Sequence, residues 1–144
     1  MPVIVTTVSP LQSIAFETIG EALRNTELPA TDLVVGIGSG GVVPAVLAAY
    51  ELGTPMRVLW LNYRGIDNVP IHPIPQLSQP FSLPPGTKRV LLVDDVVVSG
   101  KTLESAGKLL PQTEITTMVL KGKADIVLFP DIQSCVQWPW NPIR

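Results

Sequence analysis

Cysteine occurs once in this chain of 144 residues, at Cys135, and histidine once, at His72. A single cysteine excludes an internal disulfide, and neither residue sits in a motif, so neither is assigned a catalytic role or a metal on its own chemistry. An excess of one charge is also missing: 10 Lys and Arg stand against 12 Asp and Glu, which gives no reason to expect nucleic acid as a partner. Long hydrophobic runs are absent too. The longest apolar stretches, residues 42–50 and 90–93, are broken by glycine, proline or charge well short of a bilayer's thickness, so no membrane association is expected. The opening Met1-Pro2-Val3-Ile4 lacks the basic start and small-residue cleavage site of a secretory signal. A cytoplasmic setting is the expectation, and a length of this order with abundant Val, Leu, Ile and Ala predicts one domain, residues 1–144, with a core that needs no staples.

Proline is plentiful but uneven. Pro70, Pro73, Pro75, Pro80, Pro84 and Pro85 crowd one segment, where fixed φ and missing N–H groups rule out regular helix and central strand. Residues 63–86 therefore read as a long loop, and its apolar members, such as Ile66, Val69 and Phe81, argue for a functional, mobile loop rather than a disordered one.

Upstream, Ser9-Pro10-Leu11-Gln12 reads as a helix start with Ser9 as N-cap, and helical spacing continues to about Asn25. Residues 33–37 form a short apolar run that ends in Gly38-Ser39-Gly40-Gly41, followed by a helix over 44–52 that Gly53 stops. Further strands are predicted over 57–61, 89–93, 115–120 and 126–129, with a helix over about 102–110. Strands alternating with helices predict an α/β, three-layer domain with a mainly parallel central sheet, whose ligands bind at the carboxyl ends of the strands.

The segment richest in chemistry is Val90-Leu91-Leu92-Val93-Asp94-Asp95-Val96-Val97-Val98-Ser99-Gly100-Lys101-Thr102. Two carboxylates at the edge of an apolar strand are costly to bury unless they meet hydroxyls, a metal or cations. Ser99 to Thr102 then supply hydroxyls, a glycine and backbone N–H groups at a helix N-terminus, which suits a phosphate monoester. Carboxylates for a diol beside a phosphate cradle describe a ribose 5-phosphate site; the bland alternative is an N-capped helix with two solvated acids. A Walker A loop is excluded, because its earlier glycine would fall at Asp95.

This stretch resembles the phosphoribosyl pyrophosphate (PRPP) signature of type I phosphoribosyltransferases, and the outline is most similar to the bacterial xanthine-guanine branch, over about residues 30–141. The resemblance implies that Asp94 and Asp95 hold the ribose hydroxyls and a Mg²⁺ ion, directly or through water. It implies that Val98, Ser99, Gly100, Lys101 and Thr102 wrap the 5-phosphate, and that Gly38, Ser39, Gly40 and Gly41 bind pyrophosphate. By the same likeness Asn62-Tyr63 opens the mobile catalytic loop, with Tyr63 catalytic alongside the acidic pair. Lys121, Cys135 and Val136 would face the base within a C-terminal segment, residues 121–144. The implied activity is phosphoribosyl transfer from PRPP to a nucleobase, purine favoured, giving a nucleoside monophosphate and pyrophosphate in a homodimer of purine salvage. Tyr63 as a loop anchor, Lys121 as a solvated charge, and Trp138 and Trp140 as core or dimer-interface residues are the plainer alternatives.

Three positions depart from the pattern. Val98 stands where 6-oxopurine enzymes place an acid that exchanges a proton with the base, and Ser39 stands where the pyrophosphate loop carries a cation, a loss that Mg²⁺ and a basic residue such as Arg64 would have to offset. Cys135 replaces the tryptophan that stacks on the base. These departures motivate a second expectation, a non-catalytic regulator that binds PRPP or a nucleotide; hydrolytic or phosphorolytic use of the same site is a third.

Overall fold

The computed structural model describes residues 12–62 and 76–141. Along the chain lie β1 (Gln12–Ser13), α1 (Phe16–Arg24), β2 (Leu33–Gly38), α2 (Val42–Leu52), β3 (Met56–Asn62) and β4 (Gln76–Leu77). They are followed by β5 (Arg89–Val97), α3 (Lys101–Lys108), β6 (Glu114–Gly122), β7 (Ile126–Val127) and β8 (Val136–Gln137). Six strands form one sheet in the order β4-β3-β2-β5-β6-β7, parallel throughout except for the antiparallel β3/β4 pair.

Side chains alternate across the central strands, as period-2 geometry requires. Val34 of β2 and Leu91 and Val93 of β5 face α1 and α2, where they pack with Ile19, Leu23, Ala45 and Ala48. Leu33, Val35 and Ile37, with Val90 and Leu92, face the other way onto Leu103, Ala106 and Leu110 around α3. The sheet is thus buried on both faces, which explains why β2 and β5 read as continuous apolar runs. At the amino ends of these strands, the Asp32 carboxylate accepts hydrogen bonds from the Lys88 and Arg89 N–H groups at 3.0 and 2.8 Å. Those bonds, the one from Arg89 first, hold its pKa below the ordinary carboxylate value.

Three expectations need correction. Gln12 does not open a helix: with Ser13 it pairs in parallel with Val136 and Gln137, and α1 starts only at Phe16 after an extended Ala15. Ile14, whose spacing suggested a helix, is buried as the residue that links this two-stranded ribbon to α1. The stretch 63–86 is not loop throughout, because Gln76–Leu77 adds a strand to the edge of β3, where short strands tolerate flanking prolines. Finally, the acidic pair does not follow its strand but lies inside it, since β5 runs on to Val97 beside β6. Among the described residues, no helix is long and apolar enough to cross a membrane.

Candidate active site

The direction of the chain sets where a ligand can enter. After β2 the chain crosses to β3 on one side, whereas β5 flanks β2 on the other, so a crevice opens at the carboxyl ends of β2 and β5. Pairing between β2 and β5 stops at Gly36 and Val93, while β5 and β6 stay paired as far as Val97 and Gly122. Asp94 and Asp95 therefore keep one paired flank and turn the other to the space that β2 vacates as it bends into residues 38–41.

A cavity of about 450 Å³ fills that space. Gly38, Ser39 and Gly40 line one wall, and Asp94 and Asp95 the wall facing it. Val98, Ser99, Gly100 and Thr102 close a third side, and Ile37, Leu61, Val96, Val97 and Asn141 complete the lining. The two principal walls are in contact: a Cβ built on Gly40 would lie 2.6 Å from the carboxyl carbon and both oxygens of Asp95. Only a residue without a side chain lets the loop approach the acid this closely. The peptide between Gly38 and Ser39 is cis, and Gly41 N–H donates to the Ile37 carbonyl at 2.8 Å as α2 begins.

The acids differ in environment. Asp94 is only 9% exposed, and its Oδ1 accepts from the Asp95 N–H at 2.9 Å; Asp95 is half-buried, and its Oδ1 accepts from the Val96 N–H at 2.7 Å. Burial, and next the charge of Asp95, push the Asp94 pKa up to about 8. With nothing bound, these surroundings favour the protonated form of Asp94, and a cation or hydroxyl donors would favour the carboxylate instead. At the third wall Gly100 precedes α3 with φ 81°, a left-handed conformation that suits glycine, and the Lys101 N–H lies 3.4 Å from Ser99 Oγ. The exposed N–H groups of this turn and the start of α3 point a positive field into the cavity.

Gly38, Ser39, Gly40, Asp94, Asp95, Val98, Ser99, Gly100 and Thr102, nine of the sequence-predicted site residues, converge on the cavity. Gly41 is buried behind the loop as the N-cap of α2, and Lys101 opens α3 outside the lining. Lys121, Cys135 and Val136 do not line it either. Lys121 Nζ donates to the Ser134 carbonyl at 2.7 Å, Cys135 is exposed, and Val136 pairs with Gln12 in the β1/β8 ribbon. Tyr63, Arg64 and His72 lie outside the described residues. Trp138 is a core residue, 2% exposed, with Trp140 stacked on it at 5.8 Å, so this pair offers little surface for a dimer contact. Asn141 and Leu61 were missed: one follows the Trp-Pro-Trp stretch and the other ends a strand, and no local motif marks either.

Among the described residues, no three His, Cys, Asp or Glu side chains gather to cage an ion unaided. Two adjacent carboxylates, one disfavoured as an anion by its surroundings, do fit Mg²⁺, which is commonly held by one or two carboxylates together with substrate phosphates.

Comparison with known proteins bears on the family and the fold. The family described as phosphoribosyl transferase domain matches residues 12–125. The transcriptional regulator GfcR of Methanocaldococcus jannaschii is 36% identical over 89 residues, 62% of this chain and 40% of the relative. The bifunctional protein PyrR of Ralstonia nicotianae is 33% identical over 124 residues, 75% of this chain and 67% of the relative. The purine phosphoribosyltransferase of Pyrococcus horikoshii shares the fold with a TM-score of 0.68 at 24% identity, over 92% of this chain and 94% of that one. Against its first curated relatives the chain spans only 39–42% of their length.

Proposed function

Because the chain belongs to the phosphoribosyl transferase domain family, we propose that it transfers a 5-phosphoribosyl group from PRPP to a nucleobase, a purine in preference, releasing pyrophosphate. One observation carries this reading: the Gly38–Gly41 loop and the acidic pair meet at Gly40 and Asp95, with the Ser99-Gly100 turn beside them. A pentose carrying a pyrophosphate at C1 and a phosphate at C5 needs three such sites around one ring.

In this reading Asp94 and Asp95 accept hydrogen bonds from the 2- and 3-hydroxyls and orient the ring while positive charge develops at C1. Backbone N–H groups of Ser39 and Gly40 receive the leaving pyrophosphate, and those of the turn at residues 99–102 hold the 5-phosphate. The Asp94 and Asp95 carboxylates, directly or through water, would hold Mg²⁺, which when bound offsets the charge of the pyrophosphate. The lining also includes the apolar side chains of Ile37, Leu61, Val96 and Val97, which suit the face of an uncharged heterocycle.

The test is a steady-state assay of PRPP and Mg²⁺ with a panel of purines and pyrimidines, reading pyrophosphate. Base-dependent release is expected; PRPP binding without release from any base would refute transfer. That second outcome is what a regulator would give, a reading favoured by Val98, 76% exposed on the cavity rim without a titratable group, and by the likeness to GfcR. It predicts calorimetric binding of PRPP or a nucleoside monophosphate with no turnover.

A further inference from the structure

We propose that Trp60 is a positioning residue for the pyrophosphate: its indole ring fixes the backbone of Gly38 and so aims the Ser39 and Gly40 N–H groups at the ligand. The inference rests on the pyrophosphate loop proposed above and deepens it by naming what holds that loop in its binding shape.

Gly38 is where the loop leaves β2, and glycine there brings a cost, because a residue without a Cβ has the widest choice of backbone conformations. Within the loop, Gly41 N–H donates to the Ile37 carbonyl at 2.8 Å and Val42 N–H to the Ser39 carbonyl at 3.1 Å. The Ser39 and Gly40 N–H groups meet no carbonyl among the described residues, and both residues line the cavity. Their direction follows from the backbone of Gly38.

Trp60 stands opposite Gly38 in the register of β2 and β3. Leu59 and Leu61, its neighbours on β3, pack on the α3 side of the sheet, so alternation turns Trp60 to the other face. Gly36 and Gly38 share that face, where a Cβ on Gly36 would meet Ala45 of α2. A Cβ built on Gly38 would fall into the indole itself, 2.6 Å from Cζ3 and 2.7 Å from Cδ2. The ring thus occupies the space that a side chain at residue 38 would fill, and it restricts the backbone freedom that the glycine would otherwise bring. Trp60 is held in turn by its own main chain, where the Ser78 N–H and hydroxyl donate to its carbonyl at 2.9 and 3.2 Å. It is half-buried and does not line the cavity, so it acts through the loop and not on the ligand. A loop held beforehand in its bound shape loses less entropy when the ligand arrives.

The test compares pyrophosphate, in the presence of Mg²⁺, with ribose 5-phosphate by calorimetry in the wild type, Trp60→Ala, Trp60→Phe, Gly38→Ala and the double variant of Trp60→Ala with Gly38→Ala. Trp60→Ala should weaken pyrophosphate by about tenfold and leave ribose 5-phosphate unchanged, and Gly38→Ala should weaken pyrophosphate about as much. Trp60→Phe keeps an aromatic face on the glycine and should recover most of the loss. In the double variant the added methyl enters the space that the ring has left, so the two effects should be less than additive. Intrinsic fluorescence supplies a signature that a merely structural role would not move. Pyrophosphate should change the emission of the wild type, ribose 5-phosphate should not, and the change should be absent from Trp60→Phe, which retains Trp138 and Trp140 as an internal control. Should Trp60→Ala not fold, the emission change and its loss in Trp60→Phe decide the matter. Equal weakening of both ligands by Trp60→Ala, no weakening of either, strictly additive effects in the double variant, or an unchanged wild-type emission at saturating pyrophosphate would each overturn the inference. A wild type that binds no pyrophosphate would instead refute the underlying site, and this inference with it.

Discussion

Replacing Asp94 with Asn should make the ligand-free protein more stable at neutral pH, and the gain should grow with pH. In the unfolded chain an Asp titrates near 3.8, whereas in the fold burial and the neighbouring Asp95 push Asp94 up to about 8. The native state then carries one proton more than the unfolded state between those values, so stability falls as pH rises through that window. Each pH unit in the window is worth about 1.4 kcal/mol, so the step from about pH 5 to about pH 7 removes roughly 2.7 kcal/mol. Asn cannot ionise, and its Oδ1 still accepts the Asp95 N–H now bonded to Asp94 Oδ1 at 2.9 Å. The assay is thermal or urea unfolding of both proteins across this range with a chelator present. Groups that do not interact with Asp94 cancel in the difference between the two curves. For a chain of this size that difference should widen by on the order of 5–10 °C between about pH 5 and neutral pH, and it should shrink toward zero only as pH falls to the unfolded-state value of 3.8. The same variant should lose PRPP binding. Parallel curves, with no pH dependence in the difference, would refute the claim that Asp94 is held protonated by its surroundings.

Three further outcomes follow from contacts in the site and around it. Gly40→Ala places a methyl 2.6 Å from the Asp95 carboxyl group, so the loop and the acid must part; PRPP affinity measured by calorimetry should fall at least about tenfold. Gly100→Ala meets no neighbouring atom and acts only through the left-handed φ of 81°; about 1–2 kcal/mol of stability should be lost in chemical denaturation. Lys121→Met removes the ammonium that donates to the Ser134 carbonyl at 2.7 Å. Unfolding should show a loss of about 1–3 kcal/mol, with ribose 5-phosphate affinity unchanged.

The layered fold was legible because β2 and residues 90–93 of β5 are buried on both faces and so appear as branched apolar runs, each leading to a glycine-bearing turn and a helix. The edges were not. The β1/β8 ribbon joins Gln12 to Val136 across most of the chain with two residues on each side. Strands that short carry no periodicity, and the apolar spacing around Ile14 and Ile19 imitated one longer helix. The small strand Gln76–Leu77 was hidden by flanking prolines for a related reason: composition describes a window, whereas a two-residue edge pairing is decided by whatever β3 presents to it. The acidic pair, the hydroxyl-bearing turn and the glycine loop were readable because each is a short continuous segment whose residue types alone mark it, and all three line the cavity. Asn141 was not, because it reaches the cavity only through the packing of Trp138 and Trp140 beneath it.

Lys121 shows where local reading stops. Its place at the end of an apolar strand is the same whether its ammonium faces a base or a carbonyl, and only the path of residues 130–137 decides. That path brings the Ser134 carbonyl to 2.7 Å of Nζ in a part-buried setting. A charge-assisted bond of this kind is worth about 1.5–3 kcal/mol, so a base that recruited Lys121 would first have to replace it. The ammonium is more economically used as a tie between β6 and the strap that carries β8, Trp138 and Asn141.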